Sequence, residues 1–179
     1  MDYRFAIRCW QEQAGDENAK ANVFIDGVQV ATEVEITATS EETAQIISWE
    51  STGLADPAAG NSFDIKVVLA NEYYVDSSND RNIIINGIGY LTKDSDGNYR
   101  NSYHPTGSPL TTIVTDFTDY DNYYDNFGDN LPTAVTGDQI EDDWWSSLGG
   151  GAFYHIYVWG GSNGTTMTTP ITENSYSLT

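Results

Sequence analysis

The chain has 179 residues, which is enough for one well-packed core with an extension. It carries 7 Lys and Arg against 27 Asp and Glu, a formal net charge of −20. Because nucleic acids and anionic membranes are bound mainly through Lys and Arg, this charge argues against both as partners. It favours divalent cations instead, since a cation relieves the repulsion between clustered carboxylates.

The first half of the chain is rich in short patterns typical of β-strands. "YRFAIRCW" alternates apolar and polar residues, and Cys9 within it is predicted to be a buried core thiol. "ANVFIDGVQVA" predicts a hairpin around Asp26-Gly27, because this dipeptide tolerates a positive φ. "EVEITAT", "AQIISWES", "SFDIKVVLA" and "NIIINGIGYL" predict further strands. With an aromatic content of 13%, the chain is predicted to form an all-β, jelly-roll-like β-sandwich.

The second half is richer in turn residues. "KDSDGNY" predicts a hairpin turn around Asp96-Gly97, since it lacks the Gly and Glu positions of a helix–loop–helix calcium site. "LTTIVTDF" and "AFYHIYVWGG" predict strands, and "QIEDDWWSSL" predicts a short helix. We expect a sandwich over residues 1–91 and a loop-rich extension over residues 92–179 that packs on it.

Catalysis is not expected. The two histidines, His104 and His155, have no spacing that places a nucleophile beside its base, and one cysteine excludes an internal disulfide or a Cys-based zinc site. Pairs of carboxylates occur in any acidic chain and so carry little weight as glycosidase residues.

Two acidic, aromatic segments remain open to two interpretations. "TDFTDYDNYYDNFGDN" holds five Asp among five aromatic residues, and Trp144-Trp145 follow "EDD". Either segment is a polar loop whose rings cover the edge of the core, or it is a platform for a glycan, a cation or a partner subunit.

The connection "NEYYVDSSNDRN", residues 71–82, is the strongest candidate site. It joins two apolar strands and carries three carboxylates, three Asn, two Tyr and one Arg. Calcium takes six to eight oxygen ligands, and a loop hinged at the ends of two strands can bring that many oxygens together. The residues from Asp76 to Asp80 favour the turns that such a loop needs. This connection therefore predicts a calcium site.

The same residues resemble a known family. "VVLANEYYVDSSNDRNIIINGIGY" is similar to the signature of the calcium-dependent xylan-binding carbohydrate-binding modules of families 60 and 36. Asn71, the run Asp80-Arg81-Asn82 and the pair Asn86-Gly87 match its elements, and the resemblance covers about residues 3–91. It implies a small jelly-roll sandwich whose loop binds a calcium ion that contacts sugar hydroxyls. Glu72 stands where the family has Asp, so its carboxylate reaches further.

We expect the calcium ligands to be Glu72, Asp76, Asp80 and Asn82, and Arg81 to balance the charge by pairing outward. Tyr73 and Tyr74, with Arg81, are the predicted sugar-contacting residues. Two functions follow. The chain is either a non-catalytic glycan-binding module for attachment, or a structural or decoration subunit of an assembly such as a virus particle. No basic, apolar leader is seen at the N-terminus, and the expected location is extracellular or on a particle surface.

Overall fold

The structure is a computed structural model, and it describes residues 3–51, 62–93, 99–101, 134–137, 155–160 and 164–170. These ranges are almost entirely β-strand, with one short 3₁₀ helix at Glu41–Thr43. The strands are β1 (Tyr3–Glu12), β2 (Ala19–Ile25), β3 (Val28–Ile36), β4 (Gln45–Ser51), β5 (Ser62–Leu69), β6 (Tyr74–Asp76), β7 (Asn79–Asp80), β8 (Asn82–Lys93), β9 (Tyr99–Asn101), β10 (Ala134–Gly137), β11 (Ile156–Trp159) and β12 (Thr165–Pro170).

The described strands form two five-stranded antiparallel sheets and one small hairpin. The first sheet has the order β11-β8-β1-β4, with β9 also paired to β8, and the second has the order β10-β12-β5-β2-β3. Strands β6 and β7 pair only with each other. Because β2 and β3 lie in the second sheet and β4 returns to the first, the chain crosses between the sheets.

One hydrophobic core lies between the two sheets. Alternate residues of β1, β5 and β8 point into it, as the period of a half-buried strand requires. Phe5 of the first sheet meets Phe63 of the second edge to face, with ring centroids 5.0 Å apart. The predicted all-β sandwich is confirmed.

The hairpin between β2 and β3 shows why this sequence turns where it does. Asp26 and Gly27 adopt φ values of 47° and 83°, the left-handed conformation that a two-residue hairpin needs. Asp26 Oδ1 also accepts a 2.9 Å hydrogen bond from the backbone N–H of Asp64, which ties the turn to β5. Beyond it, Ile36 and Ala38 are buried while Glu35 and Thr37 are exposed, as the alternation predicts.

Cys9 is fully buried in the core, as predicted. Burial raises the pKa of its thiol from an ordinary 9.0 to about 12, against a smaller opposing effect of the Arg8 charge. The thiol is therefore protonated and unreactive at neutral pH.

Strands from the second half of the chain complete both sheets. β11 pairs with β8, and β12 pairs with β5. Ile156 and Val158 are buried, whereas Trp159 is exposed, as the alternation in "AFYHIYVWGG" predicts. Lys93 pairs with Tyr99, so β8 and β9 are antiparallel neighbours on either side of residues 94–98. The division into residues 1–91 and 92–179 stays a prediction.

Several predicted features lie outside the described residues. They are His104, the strand predicted in "LTTIVTDF", the acidic loop from Asp116 to Asp129, and the Trp144-Trp145 pair. In the part of the chain that the structure describes, no helix is long and apolar enough to span a bilayer.

Candidate functional site

Residues 71–82 leave β5, form the β6–β7 hairpin and enter β8. The hairpin turn is closed by Asp76, whose Oδ1 accepts hydrogen bonds from the Ser78 backbone N–H at 2.8 Å and from Asn79 Nδ2 at 3.2 Å. Aspartate commonly accepts a hydrogen bond from the backbone N–H two residues further on, and Asp76 does so here. One oxygen of this predicted calcium ligand is already engaged within the turn.

Asn71 fixes the start of this connection to the second sheet. Its Oδ1 accepts a 2.8 Å hydrogen bond from the Lys20 backbone N–H, and its Nδ2 donates to the Asn18 carbonyl at 2.8 Å. The side chain therefore replaces a missing strand partner at the end of β2. This gives the first Asn of the sequence signature a structural role at this position.

Arg81 lies beneath the loop. It does not pair outward, contrary to the prediction from the sequence. The residue is only 4% exposed. Its Nη1 donates to the Asn71 carbonyl and its Nη2 donates to the Ala14 carbonyl, the latter at 2.6 Å. The guanidinium is thus held by two backbone carbonyls, from residues 10 and 67 positions away in the sequence. Its N–H donors lie in one plane and point in fixed directions, which suits it to bind two separate carbonyls. The side chain holds the loop against the end of β1.

Tyr73 and Tyr74, the predicted sugar-contacting rings, have different surroundings. The Tyr73 ring lies over the Arg81 guanidinium, with 5.4 Å from Cζ to the ring centroid. Gly15 lies beside this ring, and its φ of +67° favours glycine. Tyr74 is 64% exposed on the hairpin. One ring is therefore held in place, and the other projects from the surface.

The Glu72 side chain reaches Gly160, the residue that follows β11. Its carboxylate occupies the space that a Cβ at Gly160 would fill, so that any side chain larger than glycine would overlap it. The side chain is exposed to solvent. Glu72 therefore packs against the backbone of the first sheet's edge.

Asp80 and Asn82 meet a third polar side chain, Glu12, at the end of β1. Asn82 Nδ2 donates to Glu12 Oε2 at 2.7 Å and to Asp80 Oδ2 at 3.2 Å. The shared donor brings the two carboxylates into one small space. Asn82 is 4% exposed, and its Oδ1 is buried without a hydrogen-bond partner. An unpartnered buried oxygen of this kind costs about 1–3 kcal/mol.

A polar cleft of about 460 Å³ opens beside these residues. Its walls come from the end of β1, from Thr39 in the crossover to β4, and from the β6–β7 hairpin. Nearly all of its lining groups are hydroxyls, amides or carboxylates, with Trp10 as the aromatic surface; the lining residues are Trp10, Gln11, Glu12, Gln13, Thr39, Ser77, Ser78 and Asp80. Neither Tyr73 nor Tyr74 lines it.

The register of the first sheet brings the residues of this site together. The sequence alone does not show this register, so some of these residues were not predicted. Glu12 pairs with Asn82, and Asn82 pairs with Trp159 on its other side, so that residues of β1, β8 and β11 form one cross-strand row. The next row on the same face of the sheet is Trp10, Ile84 and Tyr157. Glu12, Gln13 and Trp159 were not predicted as site residues. The polar run "QEQ" that ends β1 is the signal for the first two, but only the register shows what they face.

The predicted calcium ligands are thus brought together in part. Asp80 and Asn82 share a hydrogen bond, Asp76 is engaged at the hairpin turn, and Glu72 lies against Gly160. Within the described ranges, no group of three or more His, Cys, Asp or Glu residues is arranged to bind a metal. Beside the cleft, the Asn82 amide nitrogen instead donates to both the Glu12 and the Asp80 carboxylate, and carboxylate oxygens are among the ligands that calcium takes.

Comparisons with known proteins gave one distant similarity. Scans against protein-family models and against curated proteins found no match. A solved structure titled as vCBM60, from work linking two families of calcium-dependent carbohydrate-binding modules, aligns with a TM-score of 0.37 and 12% identity. The alignment covers 94% of this chain and 92% of that one. Similarity at this level carries no argument about function.

Proposed function

We propose that the chain is a non-catalytic glycan-binding β-sandwich, and that the cleft between the end of β1 and the β6–β7 hairpin receives the sugar. The observation that carries this proposal is the lining of the cleft. Sugar hydroxyls both donate and accept hydrogen bonds, and the cleft offers carboxylate acceptors at Glu12 and Asp80 beside amide donors at Gln13. Trp10 also lines the cleft, but it is only 8% exposed, so the polar groups carry the proposed recognition.

Calcium belongs to this proposal because the residues at the cleft wall fit it. Asp80 and Asn82, two of the predicted ligands, are hydrogen-bonded in one group with Glu12, and this group places two carboxylates together at the wall of the cleft. A bound calcium ion supplies positive charge that attracts sugar hydroxyls directly. The protein's own part is to hold the carboxylates in place and to present hydroxyl and amide groups around them.

The test is retardation of the full chain in gels that contain a panel of soluble polysaccharides, run in calcium and in chelator. We expect one polysaccharide class to retard the wild type. The cleft variants Gln13→Ala and Ser77→Ala should reduce this retardation. Ser62 is an exposed serine at the opposite end of β5, so Ser62→Ala is the matched control and should leave the retardation unchanged. Retardation that survives both cleft variants would move the sugar elsewhere, and no retardation by any polysaccharide would reject the proposal.

A second candidate function is a structural subunit of an assembly. The observation that favours it is an exposed pair on strand β6, where Tyr74 is 64% exposed and Val75 is 60% exposed. Aromatic side chains are enriched at protein interfaces. If this pair joins copies of the chain, light scattering after gel filtration will show an oligomer, and Tyr74→Ser with Val75→Ser will dissociate it. A monomer at all concentrations would exclude self-assembly through Tyr74 and Val75.

A further inference from the structure

A second, smaller hydrophobic cluster lies on the outer face of the first sheet. The residues on either side of Ile84 in β8 belong to the core, so Ile84 itself points to the opposite face. There it forms a buried cluster with Trp10 and Ala38. The His155 ring meets the Trp10 ring edge to face, with centroids 4.9 Å apart. Trp10 thus lines the cleft while most of its side chain is covered.

A strap formed by residues 39–44 borders both this cluster and the cleft. It leads from Ala38, a member of the cluster, to Gln45 at the start of β4. Gln45 Oε1 accepts a 3.2 Å hydrogen bond from the Ala38 backbone N–H, so this side chain holds the two ends of the strap together. Ala44 packs against the cluster, and Thr39 lines the cleft. The ends of the strap are therefore fixed.

Glu41 ties the middle of the strap to the sheet. Among the described residues, every hydrogen bond or ion pair between residues 39–44 and the rest of the chain is made by Glu41. Its Oε1 accepts from Asn86 Nδ2 at 3.1 Å, and its carbonyl accepts from Arg8 Nη2 at 2.7 Å. Its Oε2 lies 3.4 Å from His155 Nε2, so Glu41 also orients the ring that packs on the indole.

Few other contacts keep the strap closed. None of residues 39–44 is buried, and the 3₁₀ turn at Glu41–Thr43 has no side-chain cap. Segments with few buried apolar contacts open locally at a lower free energy than the core. Hydrogen bonds to a charged group are stronger than those between neutral groups, so the Glu41 carboxylate supplies much of the restraint. Loss of this one side chain should therefore free the strap without unfolding the sandwich.

We propose that residues 39–44 open when Glu41 is released, and that opening exposes the Trp10 indole to the cleft, where it takes the apolar face of a sugar ring. The sugar contact rests on the proposed function, whereas the opening does not require a sugar. A ligand that needs the open form binds with an apparent affinity reduced by the fraction of open molecules. Glu41 does not line the cleft, so it is a positioning residue that sets this fraction.

Hydroxyl-radical footprinting of the full chain, read at Trp10 by mass spectrometry, tests the opening. Glu41→Ala should raise the labelling of Trp10 several-fold and speed cleavage within residues 39–44 by a nonspecific protease about tenfold. Amide exchange in β5 should keep its wild-type rate. Glu42→Ala is the matched control, because Glu42 is exposed in the same turn and makes none of the contacts of Glu41. Equal labelling in the two variants, or faster exchange throughout the core, would overturn the strap.

Glu41→Gln is the conservative variant. Its amide oxygen can still accept from Asn86, but its charge is gone, so Trp10 labelling should lie between that of the wild type and that of Glu41→Ala. This graded order supports a strap held by the Glu41 carboxylate. Wild-type labelling in both variants would overturn it.

Polysaccharide retardation in the same variants separates this inference from the proposed function. Glu41→Ala should lower the apparent Kd about threefold or more, and Glu41→Ala with Trp10→Leu should lose this gain. Increased Trp10 labelling without retardation by any polysaccharide supports the strap and rejects the glycan function. Retardation of the wild type with unchanged labelling in Glu41→Ala keeps the glycan function and overturns the strap. Increased labelling with unchanged retardation overturns Trp10 as a sugar contact.

Discussion

Arg81 Nη2 donates a 2.6 Å hydrogen bond to the carbonyl of Ala14, and through this contact the predicted binding loop is joined to the end of β1. The two residues are 67 positions apart. Because β1 also contributes Glu12 to the cleft, the same contact sets the distance between the strand and the β6–β7 hairpin. Arg81 is thus a positioning residue for the cleft, and its charge is enclosed by backbone carbonyls.

Replacement of Arg81 by Met should lower the free energy of unfolding by about 3 kcal/mol or more, because two hydrogen bonds from a charged donor are lost. The carbonyls of Asn71 and Ala14 are then left without this partner. Urea denaturation measures the change. Gln29→Met is the control, since Gln29 is exposed on β3 and donates to the nearby Ala31 carbonyl and Thr32 hydroxyl, and it should cost less than about 1 kcal/mol. Equal costs for the two variants would contradict the anchoring role of Arg81.

Asn71→Asp should destabilise the start of the loop while keeping its length. The aspartate still accepts from the Lys20 N–H, but it no longer donates to the Asn18 carbonyl and places a charge beside it. We expect a loss of about 1–3 kcal/mol in urea denaturation and faster proteolytic cleavage within residues 70–82. Asn79→Ala serves for comparison: it removes one exposed hydrogen bond in the hairpin turn, from Asn79 Nδ2 to Asp76, and should cost less than about 1 kcal/mol.

Gly160→Ala should displace the Glu72 side chain, since the new Cβ would occupy the position of its carboxylate. Glu72 is exposed and flexible, so the loss in the free energy of unfolding should be below about 1 kcal/mol. The double variant Gly160→Ala with Glu72→Ala should recover it, and a double-mutant cycle by urea denaturation measures the coupling. Calcium affinity should stay at the wild-type value. A marked loss of calcium binding in Gly160→Ala would place Glu72 among the ligands.

Cys9 should make the free energy of unfolding depend on pH above about pH 9. Its pKa is raised to about 12 in the folded state, so the unfolded chain loses the proton first as the pH rises. The free energy of unfolding should therefore be unaffected by this group below pH 9 and fall by about 1.4 kcal/mol per pH unit above it. Comparison of Cys9→Ala with the wild type between pH 8 and 11 checks this: the variant should show a shallower decline. A thiol reagent should label Cys9 only in denaturant.

Much of the fold followed from local patterns. Alternation in "YRFAIRCW" and "EVEITAT" predicted which residues are buried, because a strand has a period of two and one face of each strand meets the core. Asp26-Gly27 predicted the first hairpin, since few other dipeptides accept two left-handed residues in succession. The segment from Asn71 to Asn82 is unusual because it has more carboxylate and amide side chains than a simple connection between two strands requires.

The site itself was predictable only in part. Asp80 and Asn82 are close in sequence, so their proximity could be expected, whereas Glu12 meets them only through the pairing of β1 with β8. The outward pairing expected for Arg81 assumed an exposed loop residue. Its burial depends on two carbonyls that the folded loop and the end of β1 bring beneath it.

By itself the sequence determined the class of fold, the positions of most strands and the stretch of chain where polar side chains are concentrated, because these properties depend on the period and type of neighbouring residues. The tertiary structure decided which strands are neighbours and in what register. It therefore decided that Glu12, Asp80 and Asn82 share one hydrogen-bonded group while Glu72 lies at Gly160. The physical reason is that sheet register is set by burial of the whole apolar face, and polar side chains at the strand ends are placed as a consequence.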